Sequence, residues 1–553
     1  MGRVSCDPTL SLNRGLSEGV ARILVAEPIA LAAFEALSSA HSAESRLGLS
    51  RAELLDALAG DEGWDALVVR SQTRVDAELL AAAAPRLSVV GVASVGVDRI
   101  DVDAATRAGV MVVNAPTGNT IAAAEQTMAL MLALLRNVPQ ADASVRRGEW
   151  ERGRFTGREL RGKTLGIIGL GKIGKAVARR AVGFEMRVVA TDPYLTEEQA
   201  GEAGAKLVGL AELLHRSDVI TVHTPLTPQT RHLLGRGKLE ATKPGAFVLN
   251  VARGGIVDEA ALAEALTSGH LAGAAVDVFS SEPIAEDNPL RTAPNVVLTP
   301  HLGASTAEAQ DRVGLEMAEQ LLLALSGVTP PYAVNAPAVP PETAPRLRPY
   351  VELGRRLAIL ARQLAPAAFD ALSLTYAGEI AAMECAPIRT AAVAGILEAV
   401  TDQRVNAVNA DLVAHERGLT VRETRTASSE PWASLVELSV GATDGEPLLR
   451  LAGSTAHGRP HLAGLDGFAI DAELAGVMLV TRHHDRPGIV GAVGTILADA
   501  GINISSLELS RLSERGQAMM FVSVDDAVPD EVLGTVRGFD GIIDARVVEL
   551  PAR

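Results

Sequence analysis

Cysteine is nearly absent. Cys6 and Cys385 are the two thiols in 553 residues, too few for a disulfide framework and in keeping with a reducing cytosol. Aromatic residues make up 3% of the chain, so its cores have to be built from Ala, Val, Leu and Ile. Positive charge is in deficit. The 51 Lys and Arg face 67 Asp and Glu, a net charge of −16, which argues against nucleic acid as the main partner. Any anion site must then be assembled from locally placed Arg and Lys. Long apolar runs are missing too. The run 128–135 is far too short to cross a bilayer, and no secretory signal is found, so a cytoplasmic protein without a membrane partner is expected. The length argues for three or four domains.

What is present is organised around 164–174, TLGIIGLGKIG. An apolar run ending in Gly169-Leu170-Gly171-Lys172-Ile173-Gly174 and followed by helical spacing reads as a parallel strand, a tight turn and a helix. Gly169 permits the turn, Gly171 lets the backbone approach a pyrophosphate, and Gly174 allows close packing of helix on strand, with the helix N-terminus facing the negative charge. A second apolar run, 186–191, ends in Asp192, eighteen residues past Gly174, where a carboxylate should meet the adenosine ribose hydroxyls. No Arg follows Asp192, which favours NAD over NADP.

Before this unit, runs at 22–26, 65–69, 87–93 and 110–114 predict strands alternating with helices, hence a parallel sheet. The spacing predicts a long helix over 119–135 with one apolar stripe, Ile121, Ala124, Met128, Leu132 and Leu135, capped by Asn119 or Thr120. After it, strands are expected at 188–191, 219–223, 246–250, 274–278 and 296–299, each ending in a polar or glycine-containing turn. Proline concentrates between 328 and 349, which reads as a linker, and 350–364 reads as helix. From 477 onward the pattern is βαββαβ, a ferredoxin-like unit. Residues 1–20 read as a mobile extension.

Three ionisable residues fall on ligand-face turns: Arg253, Glu282 and His301. Removing hydride from a carbinol carbon needs a base for the hydroxyl proton, and imidazole titrates near physiological pH. A carboxylate beside it fixes the tautomer and stabilises the imidazolium. A guanidinium can hold a substrate carboxylate through two parallel bonds. Singly each has a bland surface reading; together around a dinucleotide crevice they point to chemistry.

The stretches GLGKIG, NVARGGIVDE, DVFSSEP and LTPHLGAST resemble the D-2-hydroxyacid dehydrogenase family. The resemblance implies His301 as acid/base, Glu282 as its partner and Arg253 as the carboxylate and carbonyl anchor. It also implies that Asp277 contacts the nicotinamide amide, that Val95, Thr224, Val251, Ala252, Gly303 and Ala304 line the NAD site, and that Lys172 and Ile173 supply phosphate-loop contacts. No metal is implied. The chain runs on for about 220 residues past the second domain. That extension is similar to the long form of the D-3-phosphoglycerate dehydrogenases, through GEIAAMECAPIRTAAVAGIL, VNAVNADLVAHERG and HHDRPGIVGAVGTILADAGINI.

The implied fold is α/β, with two Rossmann-like parallel-sheet domains, an α+β intervening domain and a C-terminal ferredoxin-like ACT domain. The expected boundaries are 21–116 with 304–333 (substrate), 117–303 (NAD), 334–474 (intervening) and 475–553 (ACT). The implied substrate is 3-phosphoglycerate, its phosphate held by Arg70, Ser71 and Thr73, with Arg136 reaching in from a second subunit of a dimer or tetramer. The glycine-rich stretch 92–99 departs from the family pattern, with Val92 for Arg, Ser94 for Gly and Arg99 for Asn. In the ACT segment Asp485 and Asn503 match residues that hold L-serine. Two alternatives stay open: another 2-hydroxyacid dehydrogenase, or an NAD-sensing protein without turnover.

Overall fold

The computed structural model describes residues 20–340, 342–401, 404–429 and 431–552. The expected mobile extension and Cys6 fall almost wholly outside this range.

Residues 22–114 form a five-stranded, all-parallel sheet in the order Ser42–Ser45, Arg22–Val25, Ala66–Val69, Val89–Val92, Met111–Asn114. The inner strands Ala66–Val69 and Val89–Val92 are buried along their whole length, since apolar clusters cover both faces. The helix Ala307–Leu325 returns from far along the chain to supply Val313, Met317 and Leu321 to one of those clusters.

The second sheet has seven parallel strands, ordered Val296–Leu298, Gly273–Val276, Phe247–Asn250, Val219–Val222, Thr164–Ile168, Arg187–Thr191, Ala205–Leu207. Chain order reverses between Thr164–Ile168 and Val219–Val222, which makes a crevice at the carboxyl ends of those strands, the place where open α/β sheets bind ligands.

Residues 371–473 build a six-stranded mixed sheet covered by the helices Ala344–Leu364 and Ala386–Leu397. The last sheet, ordered Ile504–Arg511, Gln517–Val524, Val477–His484, Ile542–Glu549, is antiparallel and has the ferredoxin-like strand order. One face packs under Ile489–Asp499 and Asp530–Gly538. The other face, through Met478, Val480, Met519, Phe521 and Val548, is continuous with the core of the six-stranded unit. The nearly buried Arg356 clasps this junction, donating to the carbonyls of Leu474, Pro551 and Ala552. No helix among the described residues is long and apolar enough to cross a membrane.

Several local expectations are corrected. The short edge strands Ser42–Ser45 and Ala205–Leu207 escaped the pattern because they lack an apolar run. The long helix runs Thr120–Leu135, and Asn119 does not cap it: its side chain makes no cap bond. Ile121 is 45% exposed, whereas Ala122, Ala123, Leu130, Met131 and Leu134 are buried; an almost wholly apolar helix buries more than one stripe. The helix expected at 350 begins at Ala344, because Pro345 stands in its first turn, where its missing N–H costs nothing.

Candidate functional site

The turn after Thr164–Ile168 behaves as its glycines require. Gly169 has φ of 91°, and a Cβ there would lie 2.7 Å from the His223 carbonyl. A Cβ on Gly174 would sit 2.2 Å from the Gly169 carbonyl, so helix and strand touch at this point. Gly171 faces open space, the room a pyrophosphate needs above the N-terminus of Lys172–Gly183. Asp192 closes the neighbouring strand, its carboxylate accepting from Leu170 N at 2.9 Å and Tyr194 N at 3.0 Å. Thr224, at the crevice, has a buried hydroxyl with no partner, and His223 beside it has a buried, unpartnered Nδ1. Burial pushes the His223 imidazole down to about 4, so it is neutral. Orphaned polar atoms and an open glycine cradle fit a dinucleotide.

His301 sits beyond Val296–Leu298 with φ of 56°, a left-handed conformation unusual for a non-glycine residue. Asp277 imposes it. This fully buried carboxylate accepts from Thr299 Oγ1 at 2.5 Å, Leu302 N at 2.8 Å and Gly303 N at 2.9 Å, while its carbonyl takes His301 N at 2.8 Å. Asp277 therefore anchors the His301 loop.

His301 Nδ1 lies 2.8 Å from Glu282 Oε2, which leaves Nε2 unengaged by this pair. The bond to Glu282 raises the imidazole above its ordinary value against the opposing effect of burial. Burial opposes the charge of Glu282, yet the bonds from His301 and Phe279 N, with Arg253 nearby, hold it below the usual range. Arg253 donates through Nε to Asp98 at 3.1 Å and through Nη1 to its neighbour's carbonyl, Ala252, at 2.8 Å.

These groups open into one cavity of about 560 Å³ between the two parallel sheets. Of the residues singled out in the sequence, Arg70, Ser71, Val92, Ser94, Val95, Arg99, Asn119, Arg253, Glu282, His301 and Ala304 line it. Gly303 stands just behind, beside Asp277 and Val251. Thr73 does not line the cavity; its amide, with those of Ser71 and Gln72, donates to the buried Glu27 carboxylate at 2.8–3.3 Å. Burial opposes ionisation of Glu27, but those amides outweigh it and lower its pKa. Arg136 is also absent from the cavity wall; it ends the helix that follows Asn119, a residue bordering the cavity about 26 Å away at helical rise.

Sequence reading assigned no role to Glu27, did not pair Asp98 with Arg253, and offered Asn119 only as a helix cap. Asn119 lines the cavity with a buried carbonyl oxygen that has no partner. At the far end of the chain Asp485 accepts from Arg511 Nη1 at 3.2 Å and Arg515 N at 3.0 Å, and Asn503 donates to Asp525 at 2.6 Å.

Comparison with known proteins places three family matches along the chain. Residues 128–303 match the D-isomer specific 2-hydroxyacid dehydrogenase NAD-binding domain, 346–462 the D-3-phosphoglycerate dehydrogenase intervening domain, and 477–540 the ACT domain. The chain is 42% identical over 532 residues to the D-3-phosphoglycerate dehydrogenase of Archaeoglobus fulgidus, covering 96% of this chain and 100% of the relative. It is 42% identical over 534 residues to that of Mycobacterium tuberculosis, covering 96% and 99%. Among solved structures, a glyoxylate reductase from Paecilomyes thermophila aligns at 33% identity and TM-score 0.53, covering 57% of this chain and 99% of that one. A D-lactate dehydrogenase from Aquifex aeolicus, complexed with NAD and lactic acid, aligns at 29% and 0.50, covering 55% and 96%.

Proposed function

The chain belongs to the D-3-phosphoglycerate dehydrogenase family, and from that premise we propose that it oxidises 3-phospho-D-glycerate to 3-phosphohydroxypyruvate, the first step of L-serine synthesis. The cofactor is NAD, which when bound accepts the hydride from C2. The observation that carries the reading is the pairing of His301 with Glu282 in the same cavity as Arg253.

In this reading His301 Nε2 takes the C2 hydroxyl proton. Glu282 holds the ring in the tautomer that leaves Nε2 free and stabilises the imidazolium that results. Arg253, steadied by Asp98, holds the substrate carboxylate and polarises the carbonyl that forms. The glycine turn, Asp192 and the Thr224 hydroxyl hold the dinucleotide. Arg70 and Ser71 face the phosphate. Arg136 serves a neighbouring subunit, which requires a homodimer through the region of the Thr120–Leu135 helix, and the C-terminal units support a tetramer. We assign the protein to the cytoplasm on its thiol content. The ACT unit makes it a feedback target for L-serine through Asp485 and Asn503, a coupling between distinct sites.

The test is NADH formation from 3-phosphoglycerate and NAD, with the product trapped, with and without L-serine. Turnover suppressed by serine is expected. Turnover indifferent to serine removes the effector assignment. No turnover in either direction removes the substrate assignment.

A further inference from the structure

The cavity between the two parallel sheets contains more positive charge than a carboxylate needs. Arg253, with Nε on Asp98 and Nη1 on the Ala252 carbonyl, keeps Nη2 for that carboxylate. Arg70 and Arg99 also line the cavity, and neither guanidinium has an ion-pair or hydrogen-bond partner among the described residues. Two unpaired guanidinium groups at one cavity are notable in a chain with a net charge of −16.

Their loops are stitched together. Val75 N donates to the Arg99 carbonyl at 2.9 Å, and Asp101 N donates back to the Val75 carbonyl at 2.8 Å. The loop after Ala66–Val69, which carries Arg70, is held from the other side by Glu27. Arg99 is thus fixed through its backbone while its exposed side chain stays free. It forms part of the wall between the main cavity and an adjoining one of about 390 Å³, which it lines with Arg74, Asp98, Ile100 and Asp101. No other Arg or Lys of the described protomer besides Arg70, Arg99 and Arg253 lines the main cavity.

We infer that Arg99 is a specificity-determining residue: with Arg70 it binds the phosphate dianion at the end of the substrate remote from the carboxylate held by Arg253. The inference rests on the proposed phosphorylated substrate and adds the residue that reads it. A phosphate monoester carries close to two charges and three acceptor oxygens, which one guanidinium fork leaves half satisfied. Val92, on the strand below, contributes only apolar surface to the cavity. Within the protomer itself, the turn at Arg99 is where a second cation stands, alongside the Arg136 that a neighbouring subunit would bring. The side chain contributes binding and not proton transfer, so its loss should appear in KM.

The experiment compares wild type, Arg99→Met and Arg99→Lys with D-3-phosphoglycerate and with D-glycerate, which lacks the phosphate, and measures inhibition by inorganic phosphate. Arg99→Met is expected to raise KM for the phosphorylated acid about 10- to 100-fold, the worth of charged hydrogen bonds, with kcat little changed. KM for NAD and kcat/KM for D-glycerate should stay at their wild-type values, phosphate inhibition should weaken in parallel, and Arg99→Lys should recover part of the loss. A wild type active on 3-phosphoglycerate whose KM survives Arg99→Met overturns this inference alone. An equal loss on D-glycerate overturns it in favour of a structural role. A wild type that ignores 3-phosphoglycerate overturns the substrate reading and this inference with it.

Discussion

Arg253 and Asp98 join the two parallel-sheet units across the cleft, Nε to Oδ2 at 3.1 Å. The pair is partly open to solvent, so its contribution to stability is small. Its consequence is orientation: with Nε on Asp98 and Nη1 on Ala252, the guanidinium has Nη2 left for a ligand. Asp98→Ala should lower kcat/KM for the hydroxy acid on the order of tenfold by freeing that side chain. NAD affinity, measured by fluorescence titration of NADH, should not move. A variant with wild-type kinetics would show that Arg253 needs no partner.

The His301–Glu282 bond sets a pH profile. The imidazole must be neutral to accept the hydroxyl proton and protonated to return it. Because Glu282 raises its pKa, oxidation should gain rate as pH rises through a midpoint above 6.5, and reduction should lose rate over the same window. Glu282→Gln removes the largest raising influence and leaves burial and Arg253 opposed only by Asp277, so the midpoint should fall. Profiles of kcat/KM in both directions would show it, and a midpoint that stays put in the variant excludes the coupling.

Glu27 holds the Arg70 loop by three backbone amides. Glu27→Ala leaves those donors without their acceptor and should cost about 2 kcal/mol or more. The Glu27 pKa is lowered in the folded state, so its contribution is complete above the unfolded carboxylate pKa and disappears as pH falls through the folded value. Trp64, buried in the same unit, reports the unfolding. Equal stability of variant and wild type near neutral pH would contradict the anchor.

Arg356 should matter for the C-terminal half alone. Its guanidinium satisfies three carbonyls at the junction of the six-stranded and ACT sheets. Arg356→Met should destabilise that junction by about 3 kcal/mol, seen as earlier protease cleavage near 474, with turnover in the absence of serine retained. Cleavage as slow as in wild type would mean the apolar core holds the junction unaided.

Much of the fold was legible because its signals are local. The turn at Gly169–Gly174 is written in adjacent residues, and so is the switch from apolar run to helical spacing that marks each strand and helix of the NAD-binding sheet. One legible signal went unread. Asp466 and Gly467, both at positive φ, make a two-residue hairpin turn between Arg459–Leu465 and Phe468–Glu473, and Asp-Gly is the strong sequence mark of such a turn. The edge strands Ser42–Ser45 and Ala205–Leu207 carried no such mark, since pairing and not composition makes them strands.

By itself the sequence determined the two parallel sheets, the ferredoxin-like end and the residue types available for chemistry, since backbone periodicity and glycine geometry act over a few neighbours. Tertiary structure alone decided who meets whom. Asp98 reaches Arg253 across 155 positions, Glu27 reaches the loop after Arg70 across 44 to 46, and Asp277 holds the loop of His301 from beneath. Each is a contact between turns at strand ends brought together by sheet order. The directions of those side chains follow from packing that no local stretch encodes.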